Sequence, residues 1–473
     1  MNEASVKQFD NVLLRVRGDA LVASSIVPPF VTAYWPDASK LIPELGLEHA
    51  SLTALKEPEI QQKFLLEFAC RIEEATCFRP ALAGWSLRPE DIRSRERFRN
   101  TYLAVTFPEC SSREITLGAL EVLTQQMKPG GRIDVKIHQW DVFEDWDTGK
   151  ERISDILNFL VATRGLECTL TLFADFRRIP ADLGEYISDH PQVCLAWEAT
   201  ELATCRRVLD SQRDSDENTV LKSLEMLANQ GVCPLIVVPV SEQNVDILPE
   251  LILRLQEITR GGKVRLVPSP LLLGCSLGSP PTREKLVAAL MSIYRDSRIP
   301  LRQVTPQSWV AARIDAQEPL VTSHEAAGAA VTVLANGNIY AGEVTAGMND
   351  WQLGNILDGS NSLHWEPLDT MAEIFSSTDN KPSDCQFCDW RYRCGGVDSS
   401  VLLLRELDKN VGVARWEDLF QLYCAPRKAL FEDALWDSVC QSAESGATKP
   451  KELLNMEETG VTFQPVHADM KTA

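Results

Sequence analysis

From Tyr102 to Tyr294 the chain alternates short apolar runs with longer segments of helical spacing. Tyr102–Phe107 reads as a buried strand and Ile115–Gln126 as a helix. Arg132–Ile137 is a strand, followed by a helix over Glu151–Thr163. Cys168–Phe173 and Val193–Trp197 are strands, with helices at Leu183–Ser188 and Val220–Asn229. Val232–Val238 and Val264–Val267 complete the strands, and Val245–Thr259 and Arg283–Tyr294 the helices. Six strand–helix units with short turns predict an α/β fold, a parallel sheet covered by helices. Periodicity alone fits either a partial barrel or a doubly wound sheet.

The flanks read differently. Val12–Val16 and Ala20–Ser24 surround Arg17-Gly18-Asp19 as a hairpin, and 58–74 has helical spacing. Residues 1–98 are therefore expected to be an N-terminal extension or small mixed domain. After Pro300, Ala330–Leu334 and Asn338–Tyr340 surround Asn336-Gly337, a strong hairpin turn. Met371–Ser376 reads as a short helix. Residues 441–473 are polar and without periodicity, which predicts a flexible tail.

Charge and composition narrow the function classes. The 473 residues carry a formal charge of -20, with 44% hydrophobic and 24% charged residues. Such acidity argues against a broad nucleic-acid footprint, which needs clustered Lys and Arg. The opening MNEASVKQFD has neither a basic n-region nor an apolar h-region, and no apolar run reaches the roughly 20 residues of a membrane span. A cytoplasmic protein is expected, with no membrane partner.

Of the thirteen cysteines, nine stand alone and read as small buried apolar residues. The other four concentrate the chemistry. Residues 385–394 read CQFCDWRYRC, so Cys385, Cys388 and Cys394 can turn toward one centre, and Cys424 in LYCAPRK is the nearest fourth thiol. Four thiolates select an iron–sulfur cluster or a tetrahedral zinc ion, and the spacing fits both.

At this point the sequence resembles the radical S-adenosylmethionine/SPASM family of peptide and protein maturases. That family's C-terminal domain carries C-x(9–15)-G-x4-C, then C-x2-C-x5-C-x3-C, then one further cysteine. Gly337 in NGNIYAG matches the hairpin glycine, LGNI at Leu353–Ile356 matches the segment after it, CQFCDWRYRCGG matches C-x2-C-x5-C, and Cys424 matches the last cysteine. Gly342, Glu325 and Asp398 stand where the family has the other three. The missing set belongs to the first auxiliary cluster and the retained set to the second. The resemblance thus implies one 4Fe–4S cluster on Cys385, Cys388, Cys394 and Cys424, with zinc as the alternative.

Over roughly 100–430 the layout is similar too, but the barrel motifs differ. Family members follow the first strand with C-x3-C-x2-C, which holds the cluster that cleaves S-adenosylmethionine. Here YLAVTFPEC ends at Cys110 and runs into SSREIT. Gln139-Trp140-Asp141-Val142 replaces Gly-Gly-Glu-Pro, Phe173-Ala174-Asp175 replaces Thr-Asn-Gly, and Ala196-Trp197-Glu198-Ala199 replaces Ser-Leu-Asp-Gly. One cysteine cannot assemble the radical-generating centre, and two large residues crowd a backbone that must approach its ligand closely. No S-adenosylmethionine cleavage is expected.

The resemblance implies a partial (β/α)6 TIM-like barrel over 99–300 and a SPASM-like cluster domain over 301–440. It implies a catalytically inactive homologue that binds or scaffolds, partnered by an active radical S-adenosylmethionine maturase, a precursor peptide, or both. The alternatives are an enzyme using the retained cluster or a remodelled barrel mouth, and a zinc-stabilised interaction protein. His138, Asp141 and Glu198 are the reactive side chains at predicted strand ends. Glu144-Asp145-Trp146-Asp147 reads as a solvated acidic loop. H-E-x-x-H and a phosphate loop are both missing.

Overall fold

The computed structural model describes residues 12–17, 20–25, 32–35, 99–109, 111–138, 143–199, 218–268, 280–300, 303–307, 310, 329–343, 345–358, 363–376, 388, 390, 394, 413–444 and 462–463. Two sheets organise them. The smaller joins β1 (Val12–Arg17), β2 (Ala20–Ser25) and β3 (Thr32–Trp35), all antiparallel. The larger has ten strands. Its parallel part comprises β4 (Tyr102–Phe107), β5 (Arg132–Ile137), β6 (Glu167–Phe173), β7 (Val193–Glu198), β8 (Leu235–Val240), β9 (Val264–Pro268) and the short β10 (Val304–Thr305). The segment expected to contain only tail also includes β14 (Thr462–Phe463), which pairs with β3.

Strand order decides the architecture. From β4 to β10 each strand pairs with its successor, without reversal. A doubly wound sheet reverses direction at a switch point. Right-handed crossovers that always step the same way place every helix on one face, as in a (β/α) barrel. The helices are α1 (Arg113–Thr124), α2 (Trp146–Leu157), α3 (Leu183–Asp189), α4 (Asn218–Asn229), α5 (Leu248–Ile258) and α6 (Arg283–Arg295). Leu103, Val105 and Phe107 of β4, Ile133, Val135 and Ile137 of β5, and Leu170 and Leu172 of β6 form the core under these helices. The alternate positions Thr106, Asp134, Lys136, Thr171, Glu198 and Arg265 line the inner face. Together the alternation and the order give a partial barrel whose inner face mixes these polar side chains with apolar ones such as Val237 and Val267.

Helix starts follow their caps. Ser112 accepts from Ile115 N at the start of α1, and Thr282 from Lys285 N at the start of α6. Asp145 does the same for Thr148 N, so α2 begins well before Glu151. The carboxylates of the run at Glu144–Asp147 are solvated as expected, but the run is not a loop throughout: it opens a helix, whose N-terminal positive dipole end favours them. Beyond α2, Asn158–Thr163 continues as a π-helical turn.

The hairpin β11 (Ala330–Val333) and β12 (Asn338–Ala341) extends the same sheet. β11 pairs with β4 in parallel, and β13 (Gln352–Asn355) follows β12. Leu334 N bonds Asn338 O at 2.9 Å across the loop, and Gly337 has φ +83. A three-residue loop with one left-handed residue closes the hairpin. After α7 (Glu366–Ser376) comes α8 (Val413–Glu444), which runs through Pro426. Asp433 of α8 binds both Arg17 of β1 and Arg295 of α6, at 2.8 Å each. One helix therefore ties the N-terminal hairpin to the barrel.

The expectation for lone cysteines is corrected in part. Cys168 is buried in the main core, and burial pushes its thiol up to about 12. Cys194, Cys233 and Cys440 are exposed. Cys194 is exposed because it points to the open inner face of β7, not to the helices. Cys70, Cys77, Cys110, Cys205 and Cys275 lie outside the described residues.

Candidate functional site: the barrel mouth and the cysteine loop

The C-terminal ends of the strands carry the barrel's concentrated chemistry. His138 follows β5 directly, and its backbone N–H bonds Phe107 O at 2.8 Å. Its imidazole lies flat on Phe173, with centroids 3.9 Å apart and planes 9° from parallel. Nδ1 is 3.7 Å from Oε1 of Glu198, the last residue of β7. Burial lowers His138 to about 4; the nearby Glu343 carboxylate opposes that shift and Lys136 adds to it. The ring is neutral at neutral pH. Burial raises Glu198, helped by the like charge of Glu343 and opposed by Arg265.

Glu343 enters from the hairpin side, just past β12. Its Oε1 accepts from the Thr106 hydroxyl at 2.8 Å and lies 3.9 Å from Lys136 Nζ. Burial would raise it, but Lys136, the Thr106 bond, His138 and Arg265 together hold it below the usual carboxylate range. Strand ends and a post-hairpin residue thus bring Thr106, Lys136, His138, Glu198, Arg265 and Glu343 to one place. Of the reactive strand-end residues expected from sequence, His138 and Glu198 meet here. Asp141, like Gln139 and Trp140, lies outside the described residues. Glu343 escaped sequence reading because nothing local marks it. Lys136 carried a signal in the alternation of RIDVKI.

The first loop at this mouth is short. Only Pro108–Ser112 separate β4 from α1. Arg152 of α2 bonds Ser111 O at 2.6 Å, and Glu109 Oε1 accepts from Ala335 N at 3.0 Å. The loop is held from both the helix side and the hairpin side.

The cysteine loop meets α8. Trp390 is buried and stacks on Phe431 of α8, centroids 5.3 Å apart. Cys388 and Cys394 pack against the same apolar cluster, which includes Leu430, Phe431 and Ala434. Cys394 N bonds Trp390 O at 2.6 Å. Cys424 precedes Phe431 by two helical turns, so both belong to the same side of α8. Cys385 lies outside the described residues, and among the described residues no group of three or more His, Cys, Asp or Glu is gathered tightly enough to hold a metal ion. The donor chemistry, thiols on two elements packed through a shared apolar cluster, fits a thiolate-held cluster or zinc.

No protein-family model matches the chain, and no curated protein matches it. Solved structures do. Native anSMEcpe with bound AdoMet and Cp18Cys peptide aligns at 12% identity and TM-score 0.51, over 73% of this chain and 99% of that one. Native anSMEcpe with bound AdoMet gives 12% identity and TM-score 0.51, over 73% and 100%. Streptococcus suis SuiB bound to S-adenosylmethionine gives 12% identity and TM-score 0.42, over 83% and 95%. The likeness to anSMEcpe is one of fold.

Proposed function

We propose that this chain is a catalytically inactive radical S-adenosylmethionine/SPASM homologue that holds one 4Fe–4S cluster on Cys385, Cys388, Cys394 and Cys424. In this reading it serves as a binding or scaffolding subunit in peptide or protein modification, beside an active maturase. The observation that carries the inactivity is the loop Pro108–Ser112, which is shorter than the C-x3-C-x2-C motif it would have to contain. The packing of Cys388 and Cys394 against the helix of Cys424 supports the cluster. A fold relative described with a bound peptide supports a peptide as the ligand class.

Anaerobically purified protein is expected to contain about four iron and four sulfide per chain. Stoichiometric zinc without sulfide would overturn the cluster assignment. Reduced protein supplied with S-adenosylmethionine is expected to release no 5′-deoxyadenosine above a metal-free control, and clear turnover would overturn the inactivity. Size-exclusion chromatography with light scattering, after co-expression with a candidate maturase and its peptide, tests the subunit role. A monomer that binds neither and alters neither refutes it.

A further inference from the structure

The cysteine loop and the N-terminal hairpin are seated on the same piece of α8. One apolar cluster, separate from the barrel's main core, holds Val22 of β2, Trp390 of the cysteine loop, and Phe431, Leu435 and Trp436 of α8. Ala20, Cys388 and Cys394 pack against it, half-buried. Trp390 stacks on Phe431, and the Arg17 guanidinium lies 4.9 Å from the centre of the Trp436 ring. Arg15 bonds Glu432 at 2.7 Å and Arg17 bonds Asp433 at 2.8 Å. The stretch 431–436 therefore carries both segments. Of these contacts the ion pairs are the weaker, because they open to water: Arg15 and Glu432 are 31% and 30% exposed, and Arg17 51%. A sheet of short strands needs an apolar face packed on something else. Val22, fully buried in the cluster, supplies that seat for the hairpin.

Cys388 and Cys394 flank Trp390 in the chain. A group bound by these thiols restrains the loop on both sides of the Trp390 ring, and binding energy at such a site is also folding energy. We propose that the group held by the cysteine loop gates the docking of the N-terminal hairpin. With the group bound, Trp390 is fixed on Phe431, the α8 cluster is ordered, and the hairpin is seated on it. Without the group, the cluster loosens and the hairpin opens locally, while the barrel keeps its own core. The loaded chain alone then presents the hairpin in one orientation. This deepens the reading above and rests on the loop holding a thiolate-bound group, cluster or zinc. Coupling of this kind is reciprocal, so whatever weakens the hairpin's seat also weakens retention of the group.

Hydrogen exchange of the full chain, read by mass spectrometry, tests it, with metal and sulfide measured on the same samples. Anaerobically purified chain is compared with the same chain stripped by a chelator. Stripping is expected to speed exchange at least about fivefold in peptides covering 12–25 and to leave β4 and β5 unchanged. Trp390→Ala, which removes the stacked ring and no thiol, is expected to do the same in the unstripped chain. From the other end, Val22→Ala is expected to release metal to a chelator at least about fivefold faster than wild type. Val105→Ala, equally buried but in the barrel core, is the control and is expected to leave release unchanged. The release rates decide the matter if the stripped chain or Trp390→Ala folds poorly. Hairpin exchange unchanged by verified metal loss, exchange that speeds equally in the hairpin and in β4 and β5, or Val22→Ala release equal to wild type overturns the gating and leaves the cluster reading standing. Zinc in place of iron and sulfide overturns the cluster reading, and the gating is then decided by the same exchange and release rates. A chain that takes up neither overturns both.

Discussion

The imidazole of His138 lies on the ring of Phe173 at a centroid distance of 3.9 Å, sealed enough that its proton affinity falls from the usual 6.5 to about 4. The unfolded chain therefore takes up a proton between pH 6.5 and 4 that the folded chain refuses. The stability contribution is complete above pH 6.5 and is lost as pH falls through 4, on the order of 3 kcal/mol. Glu198, raised by burial, acts in the opposite sense, so stability from that group falls as pH rises through its titration. His138→Phe keeps the stack and removes the titration. Urea unfolding at stepped pH is expected to show a flatter acid limb for this variant, and an unchanged limb would assign the acid sensitivity elsewhere.

The Thr106–Glu343 hydrogen bond joins the barrel to the hairpin. Thr106→Val preserves shape and deletes the donor. A loss of about 1–2 kcal/mol in urea unfolding is expected. Faster amide exchange across Ala330–Val333 is expected alongside it. Exchange that speeds up uniformly through all the strands would mean that the bond does not hold this junction in particular.

Phe431 is fully buried and carries Trp390. Phe431→Ala is expected to cost about 3 kcal/mol and to loosen the loop of Cys388 and Cys394 without touching a thiol. If the loop holds a cluster, iron retained per chain after anaerobic reconstitution falls below wild type. Iron retention equal to wild type would separate cluster binding from this packing.

Gly337 sits at φ +83, and a Cβ there would lie 2.9 Å from Ile356 Cγ1. Gly337→Ala is expected to destabilise by about 1–2 kcal/mol or more, from the left-handed backbone and this clash together. Gly118→Ala, where a Cβ would find only ordinary contact with Ile356, is the comparison. Equal midpoints for the two variants would show that the turn relaxes freely.

Much of the element list could be read directly. RIDVKI is bounded as a strand at the same residues in sequence and structure, because Gly131 before it and the change in pattern after it are local signals. The start of α2 could not be read from apolar spacing. Its first turn holds the half-buried Trp146 and the exposed Asp147, too few apolar positions to show a period, and the true marker was the capping carboxylate of Asp145. The choice between barrel and doubly wound sheet could not be read from the strand pattern: β5 alternates Arg132, Asp134 and Lys136 with Ile133, Val135 and Ile137, whereas β8 reads LIVVPV and is apolar throughout, so strand order had to decide.

The sequence by itself determined the barrel's strand–helix alternation and the two hairpins, the cysteine spacing, and two of the mouth residues, His138 and Glu198, but not the long helix α8. These follow from backbone preference, side-chain period and strand ends, which are properties of near neighbours in the chain. The tertiary structure decided that Ala330–Val333 pairs with β4, which carries Glu343 to Thr106 and Lys136. It also decided that Trp390 docks on Phe431, which brings the cysteine loop to the helix of Cys424. Contacts between such distant segments depend on which surfaces are buried against each other, and no local pattern encodes that choice.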